Sequence, residues 1–230
     1  MKEIIISPVF GVLISIIAYL IGDYIKNKFK FSMFNPLLIA IIILIAVLSI
    51  FKIDYDDYNK GGEIISFFLA PATVSLALPL YKKFELFKKN AIPILAGIIC
   101  GAFTGIISVV TLSRLFNLSE ELTISLIPKS ITTPIGMALS DQLGGLSSIT
   151  VVAIIITGIL GSIIGPLLDR IFKINDKVAM GIAMGNASHA VGTARAMEIG
   201  QTEGAMSSLT VAIAGIVTVI IAPHMWNLLL

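Results

Sequence analysis

Long apolar runs set the pattern of this chain. They cover residues 4–22, 33–51, 64–81, 91–112, 147–168 and 205–222, each bounded by charged or turn residues such as KNKFK, DYDDYNKGG and KKFELFKKN. A bilayer core about 30 Å thick takes about 20 mostly apolar residues per helix, so each run predicts a membrane span. Two further stretches, 120–143 and 177–200, are long enough to cross but carry Pro128, Lys129 and Pro134 in one and Asn186, His189 and Arg195 in the other. Unpaired peptide groups in lipid cost several kcal/mol, so irregular backbone at membrane depth is tolerated only inside protein or beside a wet cavity. These two stretches therefore predict broken helices or re-entrant hairpins, and they are where a site is expected. The fold expected is all-α, a polytopic membrane helix bundle forming one domain over 1–230. About eight membrane elements are expected, with a possible inverted repeat as in secondary transporters.

Composition supports the same class. Hydrophobic residues make up 57% of the 230 positions and charged residues 13%, whereas soluble domains are roughly a quarter charged. The net charge of +2 comes from lysines in short connections, with no basic face interleaved with aromatics, so no nucleic-acid partner is expected. Cys100 is the single cysteine and lies in an apolar run, which leaves neither a disulfide framework nor a thiolate metal site. The opening MKEIIISPVFGVLISIIAYLIG lacks a small-residue cleavage site and is long enough to span, so it reads as a retained first helix.

Basic residues predict orientation. Lys26, Lys28, Lys30, Lys82, Lys83, Lys88 and Lys89 follow the first and third runs, while only Lys2, Lys52 and Lys60 lie on the other side. The former loops should be cytoplasmic and the N-terminus extracytoplasmic. Eight full spans would put Arg170, Lys173 and Lys177 outside; one polar segment entering and leaving on the same side restores the rule. The sequence also echoes itself. LAPATVSLALPLY precedes a span with GIICGAFTG, and LIPKSITTPIGMALS precedes one with GILGSIIG, with Gly101 and Gly105 matching Gly161 and Gly165. Proline-interrupted segments in corresponding halves point to a transporter site; close helix packing explains the glycines equally well.

In the first polar segment Pro128 and Pro134 remove backbone donors, while Ser130, Thr132 and Thr133 offer hydroxyls to freed carbonyls or to a ligand. A lysine at the bilayer centre costs roughly 2.5–3.5 kcal/mol on insertion scales. Lys129 thus either holds an anion there or snorkels to the interface, and the crowd of hydroxyls and prolines favours the anion. The second segment, GNASHAVGTARAMEIGQTEGAMSSL, supplies Ser188, His189, Gly192, Thr193 and Arg195. A break formed by Gly192 and Thr193 together would aim the N-terminus of a half-helix beyond it at an anion, and Arg195 has the fork for a carboxylate. His189 is either a proton carrier coupled to transport, with Glu198, or a neutral ring bonded to a carbonyl. Glu198 alternatively neutralises Arg195 one turn away. Pro71, Thr73, Ser75 and Pro79 form an uncharged counterpart that a simple kink explains as well. His224 and Trp226 read as interfacial anchors. No metal cluster, phosphate-binding loop or nucleophile–base pair is assembled by local spacing, so neither an enzyme nor a cofactor is expected.

At PKSITTPIGMALS and ASHAVGTARAMEIG the chain resembles the LrgB/CidB family, bacterial antiholin-like membrane proteins also related to the plastidic glycolate/glycerate translocator. The resemblance extends through FLAPATVSLALPLYKK, Gly144 and Gly145, TGILGSIIG and GAMSSLTVAIAGIVT, over residues 60–222. Gly136 and the Ser147–Ser148 pair depart from the apolar or alanine residues usual there. The resemblance implies a multi-pass protein of the bacterial cell (inner) membrane working with a small holin-like partner of the LrgA/CidA type. Two functions attach to it: control of murein-hydrolase export and lysis, and movement of small monocarboxylates such as pyruvate, glycolate or glycerate. It places Pro128, Lys129, Ser130, Thr132, Thr133 and Pro134 in one block and Ser188, His189, Gly192, Thr193, Arg195 and Glu198 in the other. The reading favoured from the residues is a carrier binding a small carboxylate between two discontinuous helices; the alternative is an antiholin-like regulator. Flat small-residue faces also suggest a homo-oligomer, with a dimer as the candidate.

Overall fold

The computed structural model describes residues 7–29, 35–68, 71, 74, 75 and 77–229, and among these every regular element is helical. The chain forms two compact units, residues 1–75 and 76–230. In the first unit, α1 (Pro8–Phe29) packs on α2 (Pro36–Phe51) and α3 (Tyr55–Phe67). Asn35 starts α2 by accepting from Leu37 N–H at 2.8 Å, with Pro36 in the first turn, where a missing donor costs nothing. Gly11 meets Gly61 backbone to backbone, which lets Ser15 reach the Tyr58 hydroxyl at 2.9 Å. Of the span expected over 64–81, α3 ends at Phe67, Pro71, Val74 and Ser75 have helical backbone, α4 covers Ala77–Lys82, and residues 69, 70, 72, 73 and 76 lie outside the described ones. Thr73 is among these; Pro71 and Pro79 both have helical backbone.

The second unit continues with α5 (Phe84–Lys89) and α6 (Ala91–Leu115). Then come α7 (Glu120–Leu126), a 3-10 turn (Ile127–Ser130) and α8 (Thr133–Leu143). The unit closes with α9 (Ser147–Ile171), α10 (Lys177–Ile199) and α11 (Gln201–Leu229). α1, α6, α9 and α11 are long and apolar enough to cross a bilayer. Their faces are distributed for lipid rather than water. On α9, Val152, Ile156, Leu160, Ile164 and Leu167 form an exposed stripe, while Thr150, Gly158, Ser162 and Asp169 are buried. Ile154 and Ile159 are buried beside them, so the outer face is wholly aliphatic while the inner one mixes aliphatic, small and polar residues, as apolar solvent outside and helix packing inside select. The chain is thus a multi-pass helical membrane protein.

Neither polar stretch crosses. Ser125, at the end of α7, accepts from Leu146 N–H at 2.7 Å through its hydroxyl and from the Thr150 hydroxyl at 2.9 Å through its carbonyl. Gly136 lies against the Pro128 carbonyl. The chain therefore leaves residue 125, turns at 129–133 and returns beside its starting point, a first hairpin. Its caps are legible: Ser119 accepts from Leu122 N–H at 3.3 Å before Glu120 and Glu121, and Gly144 ends α8 at φ 89°.

α10 also doubles back. Gly192 presses on the carbonyl of Met184, although eight residues of continuous helix would separate them by about 12 Å. Gly181 and Gly185 pack against Glu203–Met206 and Ser207–Thr210 with both numbers rising, so residues 177–188 run parallel to α11. Thr193 meets Ser207 and Met197 meets Gly204, so residues 190–199 run antiparallel to it. The reversal falls at His189, whose backbone stands at φ 42°, ψ −133°. The expected break between Gly192 and Thr193 is corrected by this: both sit in the returning arm, where Gly192 lets the two arms touch.

Directions follow. α6 runs parallel to residues 177–188, since Gly97 meets Ile182 and Gly101 meets Asn186; α9 runs antiparallel, since Gly165 meets Met184 and Gly161 meets Ser188. The first hairpin inserts from the end where α6 finishes and the second from the end where α9 finishes. Span plus hairpin therefore occurs twice in opposite senses, an inverted repeat of α6 with the first hairpin and α9 with the second. The glycine echo belongs to this pairing. With a helical rise of 1.5 Å per residue, Gly105 lies about 15 Å below the end of α6 and Asn186 about 13 Å above the start of α10, so the turns meet near mid-depth.

Candidate functional site

The first turn is a 3-10 stretch in which Pro128 leaves the helical region at φ −83°, ψ 16°. Lys129 is half-buried, donates to the Ser130 hydroxyl at 3.4 Å and makes no ion pair among the described residues. Ile131 anchors the turn in a core with Ile106, Ile127 and Leu139. Thr132 is the N-cap residue of α8, Thr133 its first residue and Pro134 lies in its first turn. The new helix thus begins at the turn, and its unpaired N–H groups give that end a partial positive charge. Trp226, expected at the interface, is buried in this core instead, while His224 is exposed.

The second turn is seated in α9. His189 Nε2 bonds the carbonyl of Ile154 at 2.9 Å, and its ring rests on Gly158, where a Cβ would come within 2.6–2.7 Å of it. Ser188 sits on Gly161, fully buried, and its hydroxyl has no hydrogen-bond partner. Beyond the turn, the Thr193 hydroxyl donates to the His189 carbonyl at 3.0 Å and shares a 2.8 Å bond with Ser207. Of the two readings of His189, this geometry matches the ring bonded to a carbonyl. Arg195 lies in the returning arm and pairs with Glu198 at 2.5 Å.

The first turn and the arm that leads into the second border a small cleft. It is about 10 Å³, room for about one water, and is bordered by Gly101 and Gly105 of α6, Ser130 of the first turn, Asn186 just before the second and Thr218 of α11. Asn186 Nδ2 donates to the Ile98 carbonyl at 3.0 Å. Lys129 does not line the cleft; its ammonium touches the hydroxyl of Ser130, which does. Among the described residues no hydrogen bond or ion pair joins Lys129 to Arg195, and no His, Cys, Asp or Glu cluster suited to a metal is present. Thr218, inside an apolar run, gave no sequence signal. Asn186 gave one only as a polar residue at membrane depth.

Residues 15–228 match the sequence model of the LrgB-like family. The chain is 39% identical over 218 residues to the antiholin-like protein LrgB of Bacillus subtilis (strain 168), covering 94% of both. It is 36% identical over 218 residues to the antiholin-like proteins LrgB of Bacillus cereus (strain B4264) and Bacillus anthracis (strain CDC 684 / NRRL 3495), covering 94% of this chain and 95% of each relative. No solved structure matches.

Proposed function

Since the chain belongs to the LrgB-like family, we propose that it fills the antiholin-like role its relatives are named for. In that role it acts with a holin-like membrane partner of the LrgA/CidA type to control murein-hydrolase export and lysis. The molecular act we assign beneath that role is passage of a small monocarboxylate of the pyruvate, glycolate or glycerate type. The names of the relatives favour the regulatory role, and the geometry favours the carrier.

The observation that carries the second reading is the pair of opposed hairpins, the turn of the first and Asn186 in the incoming arm of the second bordering one small cleft. Each returning arm begins at mid-depth, at Thr133 and just after His189, and the half-helix N-terminus that follows Lys129 in the first hairpin favours an anion. The incoming arms end there in carbonyls, which suit a coupling cation. Ser130, Thr132 and Thr133 would hydrogen-bond the substrate, while Ser188, Gly192 and Thr193, buried in the packing of the second hairpin, would hold its turn in place. Arg195 would exchange Glu198 for the carboxylate as the second hairpin moves against α9. Within the second unit Lys82, Lys83, Lys88, Lys89, Arg170, Lys173 and Lys177 would then share one end, the cytoplasmic one by the bias of basic residues.

The test is purified protein in liposomes with radiolabelled pyruvate or glycolate. Saturable uptake by the chain alone supports the carrier. No uptake alone, with flux restored by the holin-like partner, supports a purely regulatory role.

A further inference from the structure

We propose that Asp169 is a proton-binding site that latches the second hairpin to α9. It carries a proton while the two are packed together and gives it up to water as they part. The latch does not depend on whether the hairpins serve carriage or regulation.

Position is the first ground. Gly158, Gly161, Gly165 and Asp169 follow one another at helical spacing, so they share one face of α9. The three glycines carry the second hairpin, meeting His189, Ser188 and Met184 in turn. The register that sets Gly161 on Ser188 and Gly165 on Met184 places Asp169 opposite Met180, in the first turn of α10. The second hairpin therefore covers Asp169, which is 5% exposed.

Chemistry is the second ground. Oδ2 of Asp169 has no hydrogen-bond partner, and no ion pair reaches the side chain among the described residues. An ionised carboxylate so buried has nothing to replace its water. Asp169 also stands in the last turn of α9, the negative end of the helix dipole, which repels a second negative charge. The backbone donors that follow it are spent: the N–H groups of Phe172, Lys173 and Ile174 bond the carbonyls of Leu168, Arg170 and Asp169 itself. A neutral carboxylic acid escapes most of these costs, and a proton, unlike a metal cation, needs no room. The neighbouring acids are provided for. Asp176 caps α10 by accepting from Ala179 N–H at 2.8 Å, and the Glu203 carboxylate lies over Gly200 in the first turn of α11, both at positive helix ends.

The other charges at this end are Arg170 and Lys173, Lys177 at the start of α10, all three exposed, and Arg195 paired with Glu198 in the returning arm. α7, the first turn and α8 meet α9 at Thr150 and Ile154, about 22–28 Å along the axis from Asp169, so Glu120, Glu121, Lys129 and Asp141 are remote. Nothing but a proton thus neutralises the carboxylate while the hairpin is shut. Acid should hold the seam closed, and that stability is lost as rising pH ionises Asp169.

The full chain in nanodiscs, with Cys100→Ser as background, provides the test. Met184→Cys puts a thiol in the seam, where Met184 covers Gly165, and is made with and without Asp169→Asn. At about pH 8, N-ethylmaleimide should react about fivefold faster when Asp169 is present than when it is replaced, and at about pH 5.5 the two should react alike. The ratio at each pH cancels the thiol's own titration. Without the added cysteine, Asp169→Asn should melt about 3 °C above its parent at about pH 8 and level with it at about pH 5.5. Asp169→Leu, which has no amide to satisfy, should do the same. Equal labelling at both pH values, or melting differences that ignore pH in both variants, would overturn the latch. Closure of the seam at about pH 8 by added Na+ or K+ would make the site one for a metal cation and overturn the proton.

Discussion

Gly158→Ala tests the seat of the second turn. The new methyl would stand 2.6–2.7 Å from Cε1 and Nε2 of His189 and 3.2 Å from Val191 Cβ. The imidazole cannot swing aside without giving up the Ile154 carbonyl, and Val191 closes the other way out. Overpacking of this kind costs about 1–3 kcal/mol, and an orphaned buried hydrogen bond about 1–3 kcal/mol more. Replacing glycine by alanine within a helix returns about 1 kcal/mol. The net expectation is a loss of about 1–5 kcal/mol, or about 2–20 °C at 2–4 °C per kcal/mol for a chain of this size. Thermal unfolding in mild detergent, followed by size-exclusion of the survivors, measures it against Gly105→Ala, whose methyl meets open space and should melt no lower than wild type. Equal melting of Gly158→Ala and Gly105→Ala would refute the seating of His189 in α9.

Three further outcomes follow from the same geometry. At His189 the positive φ reverses the usual helix preference, so His189→Gly should be more stable than His189→Ala by about 1 kcal/mol, read from the two melting temperatures. Thr150→Val removes the hydroxyl that bonds both the Ser125 carbonyl and Ser140 and should cost about 1–3 kcal/mol, visible as faster proteolysis of the first hairpin. If Arg195 receives the carboxylate, Arg195→Lys should lower uptake severalfold with unchanged protein in the membrane; equal uptake would count against a two-point grip.

The long spans were legible because continuous apolar length is itself the signal: the runs 91–112 and 147–168 became α6 and α9 with only their last turns added. The first hairpin was legible in part. Pro128 and Pro134 mark its turn, and Arg170, Lys173 and Lys177 required a segment that returns to its own side. The second turn was not readable, because local propensity points to Gly192, whereas the backbone turns at His189 and uses Gly158, Gly161 and Gly192 to let helices touch. Tertiary packing selects the strained residue, and a single chain's sequence does not display which glycine faces which neighbour. The same holds for Trp226, whose ring fits the core around the first turn, and for Thr218, which an apolar context conceals.

The central claim is that α10 is two antiparallel arms. Spin labels at Lys177 and Ile199, in a Cys100→Ser background in nanodiscs, measure it directly. A straight helix would hold these positions about 33 Å apart. Packed arms bring the backbones to about 8–10 Å, so the distance distribution should peak below about 20 Å once label length is included. A single peak near 33 Å would contradict the hairpin, the inverted repeat and the shared cleft together.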